Sequence, residues 1–158
     1  MSKGSGGCTC GDIRYTILDE PIFTHACQCT LCQRYTASIF VVHSPIETAN
    51  LIVNSGSLTE TPGPSGSGKG HIIKRCSNCG DQIYSHFGGN EMMAVLKTTT
   101  LDDPNRFPPQ AHIFVKSKLK WLELGSTIPK FDEYYDREEV YPKESLERRK
   151  KLEHRGDE

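Results

Sequence analysis

The stretch Cys27-Gln28-Cys29-Thr30-Leu31-Cys32 places three thiols within six residues. Two more stand at Cys8 and Cys10 and the last two at Cys76 and Cys79, which accounts for all seven cysteines of the chain. The division into four and three decides how the chain is read. Four soft ligands close a tetrahedral zinc site, whereas three leave one position open for water or a substrate. One structural zinc and one catalytic zinc are therefore expected.

The four-ligand set is Cys8-Thr9-Cys10 together with Cys76-Ser77-Asn78-Cys79-Gly80. The second half is a zinc knuckle: Cys-x-x-Cys-Gly turns backbone amides toward the sulfurs, and Gly80 tolerates the tight turn. One ion held by both pairs would tie the start of the chain to its middle and fix two β segments against one another. Cys27, Cys29 and Cys32 are left over. An open zinc position there can lower the pKa of a bound water or take a substrate thiolate directly, and a soft thiol suits a soft site. Three other readings stay open. His25, two residues before Cys27, completes the second site and makes it purely structural. The thiols hold an iron–sulfur cluster. Or they are unmetallated core residues.

With 158 residues, 35% of them apolar, the chain is expected to fold as one domain that zinc crosslinks help to hold together. No apolar run follows the opening Met1-Ser2-Lys3, so no secretory signal is expected. No stretch approaches the roughly 20 apolar residues of a spanning helix. A cytoplasmic protein is the expectation, and in a reducing compartment clustered cysteines read as metal ligands rather than disulfides. The formal charge of −1 points to neither a nucleic-acid surface nor an anionic membrane as partner. Seven metal-bound thiolates and two zinc ions would take the net charge to −4 and leave −1 at the three-thiolate site. Arg34 and Lys74 or Arg75 are the candidate counter-charges.

Residues 12–18 alternate, with Ile13, Tyr15 and Ile17 on one face, as a half-buried strand does. Residues 36–43 are rich in β-branched and aromatic types and predict a strand that Pro45 ends. Leu51-Ile52-Val53 predicts a third. Thr61 to Gly70 reads as a flexible loop. Strands are then expected at 71–75, 82–87, 92–97, 111–115 and 119–124, the last two joined as a hairpin near Lys116-Ser117-Lys118, with a loop over 102–109. Trp121, Phe114 and Tyr84 read as core. From about Asp136 the chain becomes charged. Glu144 with Arg148 and Glu147 with Lys151 are spaced for a short, exposed, fraying helix on a solvated tail. Many short strands with Gly- and Pro-rich breaks predict a mainly β domain.

The run Gly63-Pro64-Ser65-Gly66-Ser67-Gly68-Lys69-Gly70 nearly spells a phosphate-binding loop. The hydroxyl residue that should follow the lysine is Gly70, and a strand pattern follows where a helix is required. Nucleotide binding is rejected.

The ordered pattern of Cys8-x-Cys10, then Cys27-x-Cys29-x-x-Cys32, then Arg75-Cys76-x-x-Cys79-Gly80 resembles the glutathione-dependent formaldehyde-activating enzyme family, which also includes the centromere protein V relatives. Ala111-His112-Ile113-Phe114 and Ser117-Lys118-Leu119-Lys120-Trp121 resemble that family's later His-Ile and Ser-x-x-x-Trp region. The resemblance covers roughly residues 4–130. It implies a β-tent, antiparallel sheets stacked around a structural zinc, over 4–131; the charged C-terminal extension expected over 132–158 lies outside the resemblance. It implies that Cys8, Cys10, Cys76 and Cys79 hold the structural zinc and Cys27, Cys29 and Cys32 the catalytic one. The implied activity joins formaldehyde to glutathione as S-hydroxymethylglutathione, a carbon–sulfur lyase reaction. The expected partners are thus a small thiol and a small carbonyl. No cluster of basic residues specific to glutathione carboxylates is apparent in the sequence.

On this reading a substrate thiol ionises at the Cys27/Cys29/Cys32 site and attacks an aldehyde carbon. His25 and His112 are the candidate proton donors, because histidine titrates near neutral pH, and Arg34 and Tyr35 are candidate pocket residues. Two alternatives compete. The open zinc acts as a Lewis acid on another small carbonyl without glutathione, or the zincs only stabilise a non-catalytic interaction module.

Overall fold

A computed structural model describes residues 1–154; the last four residues of the expected C-terminal extension lie outside the described residues. In chain order the strands and helices are β1 (Gly4–Gly7), β2 (Arg14–Ile17), β3 (His25–Cys27), α1 (Thr30–Thr36), β4 (Val41–Glu47), β5 (Leu51–Ser55), β6 (Leu58–Gly63), β7 (His71–Cys76), β8 (Gln82–Phe87), β9 (Met93–Lys97), β10 (Ala111–Ile113), α2 (Arg137–Val140) and α3 (Lys143–His154). They form a three-stranded sheet, β1-β2-β5, and a seven-stranded sheet, β10-β3-β4-β9-β8-β7-β6. The fold is mainly β, as expected. Every pairing is antiparallel except that of β10 with β3.

Strand alternation places the two cores on opposite faces of the large sheet. Ala94 and Leu96 of β9 join Tyr15 and Ile17 of β2 and Ile13 just before it, so the small sheet covers one face. Met93 and Val95 join Ile22, Phe23, Cys27 and Ile113 on the other. That second face is covered by the C-terminal segment, whose Tyr135, Tyr141 and Leu152 are buried there. The tail is therefore docked rather than solvated. Arg148 of α3 reaches back to Glu47 of β4, donating from Nε at 2.8 Å and from a terminal nitrogen at 2.6 Å, and also to the Glu20 carbonyl at 2.9 Å. Among the described residues no helix is long and apolar enough to cross a membrane.

Several elements depart from the sequence expectation. The N-terminal Gly-Ser-Gly-Gly forms β1, and it approaches β2 closely at Gly6, where a Cβ would lie 2.3 Å from the Tyr15 hydroxyl and 2.4 Å from the Thr100 carbonyl oxygen. Residues 30–36 are helical where a strand was expected to begin at 36, and Ala37 ends the helix in the left-handed conformation. The strand that follows runs through Pro45. Its carbonyl accepts from the Ile22 amide at 2.8 Å, so the missing N–H faces the segment leading into β3 and breaks no bond to β9. Residues 61–63 belong to β6 rather than to a loop. Residues 119–124 form turns and coil, not a strand, and no 116–118 hairpin exists; a single 3-10 turn at Val115–Ser117 follows Phe114, whose φ is 54°. The chain returns alongside β10 only later, through Phe131 donating to the His112 carbonyl at 2.9 Å. Trp121 is 70% exposed and not core, whereas Phe114 and Tyr84 pack against the two cores.

Candidate metal centres and the cavity beside them

Cys8, Cys10, Cys76 and Cys79 converge, their sulfurs all within 4.8 Å of one another. The β7–β8 turn presents one pair: the Gly80 amide bonds the Cys76 carbonyl at 3.0 Å, and Gly80 has a φ of 80°. The loop between β1 and β2 presents the other, pinned by the Thr9 amide donating to Asp81 at 2.7 Å. The Ile13 amide donates to the Cys8 sulfur at 3.2 Å, and burial notwithstanding, that bond and those from the neighbouring thiols bring Cys8 down to about 7. Sulfur separations of 3.4 Å for Cys8–Cys10 and 3.7 Å for Cys10–Cys76 fit a tetrahedral ion, since Zn–S bonds of about 2.3 Å place sulfurs about 3.8 Å apart.

The second group is Cys27, Cys29 and Cys32, again within 4.8 Å of one another. Cys27 ends β3. Cys29 is the N-cap of α1, and its sulfur accepts from the Cys32 amide at 3.3 Å, so the Cys-x-x-Cys spacing is the first turn of the helix. Bonds from the Cys27 and Cys32 thiols hold Cys29 down at about 2, while Cys27 is pushed up by the same crowding and by burial. Three sulfurs this close resist ionising together, and a divalent cation relieves that. None of the seven cysteines is in a disulfide. Among the described residues no histidine or carboxylate completes the three-sulfur group at that distance. Both groups are therefore able to hold a metal ion, and their donor chemistry fits zinc.

Cys29 and Cys32 lie on the wall of a cavity of about 60 Å3 that Tyr35, His43, His71, Phe87 and Lys97 also line. His43 Nε2 is 3.4 Å from the Cys32 sulfur. Its other ring nitrogen, Nδ1, is 3.3 Å from Lys97 Nζ, which also donates to the Ser85 hydroxyl at 3.0 Å. An ammonium has donors only, so Nδ1 accepts and Nε2 carries the proton of a neutral imidazole, aimed at sulfur. Burial and then the Lys97 charge keep His43 well below its ordinary value, in agreement with a neutral ring. Burial pushes Lys97 down to about 8, with the Cys32 and Cys27 charges working against the drop.

Lys97 thus stands where the sequence suggested Arg34, Lys74 or Arg75. Arg34 is exposed, Lys74 pairs with Glu60, and Arg75 donates to the Gly80 carbonyl at 3.1 Å. Of the expected pocket residues, Tyr35 is on the wall, its hydroxyl donating to the Pro64 carbonyl at 3.0 Å. His25 and His112 are elsewhere. His25 Nδ1 is 2.8 Å from the Tyr135 hydroxyl, and burial brings it down to about 3; His112 Nδ1 is 3.0 Å from the Gln28 amide, and burial lowers it too. Neither lines the cavity. His43, His71 and Lys97 were missed. The signal for two of them was a polar residue closing an apolar run, Val41-Val42-His43 and Val95-Leu96-Lys97, and the sheet register sets those two opposite each other.

The family model described as glutathione-dependent formaldehyde-activating enzyme matches residues 3–117. The chain belongs to this family. The matched span contains both thiol groups of this glutathione-dependent formaldehyde-activating enzyme family member, together with His43, His71 and Lys97. Among solved structures, a crystal structure of a Rhodobacter sphaeroides protein is similar at 15% identity with a TM-score of 0.47, covering 80% of this chain and 98% of that one. No curated protein matches the chain.

Proposed function

We propose that this family member is a zinc enzyme that reversibly joins a small thiol, glutathione-like, to a small aldehyde, formaldehyde-like. Cys8, Cys10, Cys76 and Cys79 would hold a structural zinc, and Cys27, Cys29 and Cys32 a catalytic one. The observation that carries the reading is a three-sulfur group that no fourth side-chain ligand completes among the described residues, opening on a cavity walled by neutral imidazoles and one buried cation. The bound zinc would supply a Lewis acid at its open position, where a thiol loses its proton more readily. In the forward reaction sulfur forms a bond to the carbonyl carbon, the C=O π bond breaks, and the proton given up by the thiol ends on the former carbonyl oxygen. Nothing is oxidised or reduced, so no further co-reactant is needed.

The chain's own residues hold charge and geometry. Lys97 offsets the net negative charge of three thiolates around a divalent ion. His43 donates Nε2–H to the Cys32 sulfur, withdrawing charge from one ligand, and Lys97 fixes the tautomer that allows it. The proton-donor role proposed for His25 and His112 has no support in their placement. The test is turnover of formaldehyde with glutathione by fresh wild type and by Cys29→Ser. The reading expects turnover in the first and its loss in the second. Equal turnover in both contradicts it.

A further inference from the structure

His71 is buried, 6% exposed, on the cavity wall, and neither of its ring nitrogens has a hydrogen-bond partner among the described residues. Leaving such a group unpaired is costly. The ring is nonetheless held firmly. It stacks on Phe87 with centroids 4.0 Å apart and 13° between planes, and Tyr35 packs edge-on at 5.2 Å. Tyr35 is itself tied to the Pro64 carbonyl at the tip of the β6–β7 hairpin, and Pro64 and Ser65 close that side of the cavity. A rigid imidazole with unspent hydrogen-bonding capacity, sharing a small cavity with Cys29 and Cys32, is arranged to receive an oxygen from outside the protein.

We propose that His71 binds the oxygen of the small carbonyl substrate, and that the small cavity beside it favours carbonyl compounds of about one to three carbons. This rests on the reading of the site as one for a thiol and an aldehyde, and it names the residue and the size limit on the aldehyde side. Neutral imidazole offers one N–H to a carbonyl oxygen and one lone pair to the hydroxyl of a hydrate or of the adduct. Burial keeps the ring neutral by bringing His71 down to about 4. A volume of about 60 Å3 takes a few water-sized groups and not a tripeptide, so the thiol's bulk stays outside and only its sulfur reaches in.

The experiment uses the zinc-loaded protein with nitrogen-15-labelled histidine, titrated with acetone as an unreactive three-carbon carbonyl and with pinacolone as a bulky one. The His71 ring resonances, assigned by their loss in His71→Phe, should shift saturably with acetone and stay still with pinacolone. In parallel, His71→Phe should raise KM for formaldehyde about tenfold or more while zinc content is unchanged, with His71→Gln restoring part of the loss. No shift with acetone, equal shifts with both ketones, or an unchanged KM in His71→Phe overturns the proposal. An acetone response in a wild type that does not turn over formaldehyde and glutathione upholds the carbonyl site and removes the thiol–aldehyde reading instead.

Discussion

Lys97 and His43 face each other across β9 and β4, with Nζ 3.3 Å from Nδ1, and the far nitrogen of His43 lies 3.4 Å from the Cys32 sulfur. This is a three-member line from a buried cation through a neutral imidazole to a candidate metal ligand. It turns a generic thiol cluster into one whose charge is balanced from one side.

Replacing that cation should loosen the metal. Lys97→Met keeps the length and apolar stem and removes the charge. We expect zinc affinity at the three-sulfur site to fall about 10- to 100-fold, with the four-sulfur site unaffected. Competition with a chromogenic chelator reads both sites. Unchanged affinity at the three-sulfur site would show that Lys97 does not balance it.

If Lys97 acts through the His43 tautomer, the two residues are one unit. The double variant Lys97→Met/His43→Phe should then cost little more than the worse of the two single variants in the same chelator competition. Strict additivity of the single effects would mean they act separately.

The docked tail gives a prediction about pH. Burial works against Glu47 ionising, yet the bonds from Arg148 prevail and hold it below its ordinary 4.5. A depressed carboxylate stabilises the fold above the unfolded value and ceases to do so as pH falls through the folded one. Arg148→Ala should cost about 1–3 kcal/mol at neutral pH, and its difference from wild type should shrink progressively below pH 4.5. Urea unfolding of both proteins at matched pH measures the difference. A gap that does not narrow in acid would place the role of Arg148 elsewhere, in its bond to the Glu20 carbonyl.

Gly6→Ala tests the close approach of β1 to β2. The added methyl meets the Tyr15 hydroxyl and the Thr100 backbone, so a loss of about 1–3 kcal/mol is expected, seen as a drop in Tm of several degrees. Gly125→Ala, where nothing lies within 4 Å, should leave Tm unchanged. Equal behaviour of the two variants would contradict the packing described for β1.

The parts of this molecule legible in the sequence were those written locally. The alternation of Ile13, Tyr15 and Ile17 gave β2, and the Cys-x-Cys and Cys-x-x-Cys spacings grouped the sulfurs as the fold groups them. What escaped is written in register or in close packing. A strand of Gly-Ser-Gly-Gly has no side-chain pattern to read, and the seven residues of α1 bury none of their side chains fully. Tyr135, Tyr141 and Leu152 are scattered among charges, so the segment reads as solvated although those three side chains are buried. His43 and Lys97 are each a lone polar residue at the end of an apolar run. Only their pairing across two strands, 54 positions apart, makes them a site.

Zinc content per chain in freshly purified wild type and Cys29→Ser, measured side by side, tests the central claim most directly. Two separate sites, one closed by four sulfurs and one opened by three, predict two zincs per chain falling to one. One zinc in both proteins would contradict the second metal centre, and with it the proposed reaction.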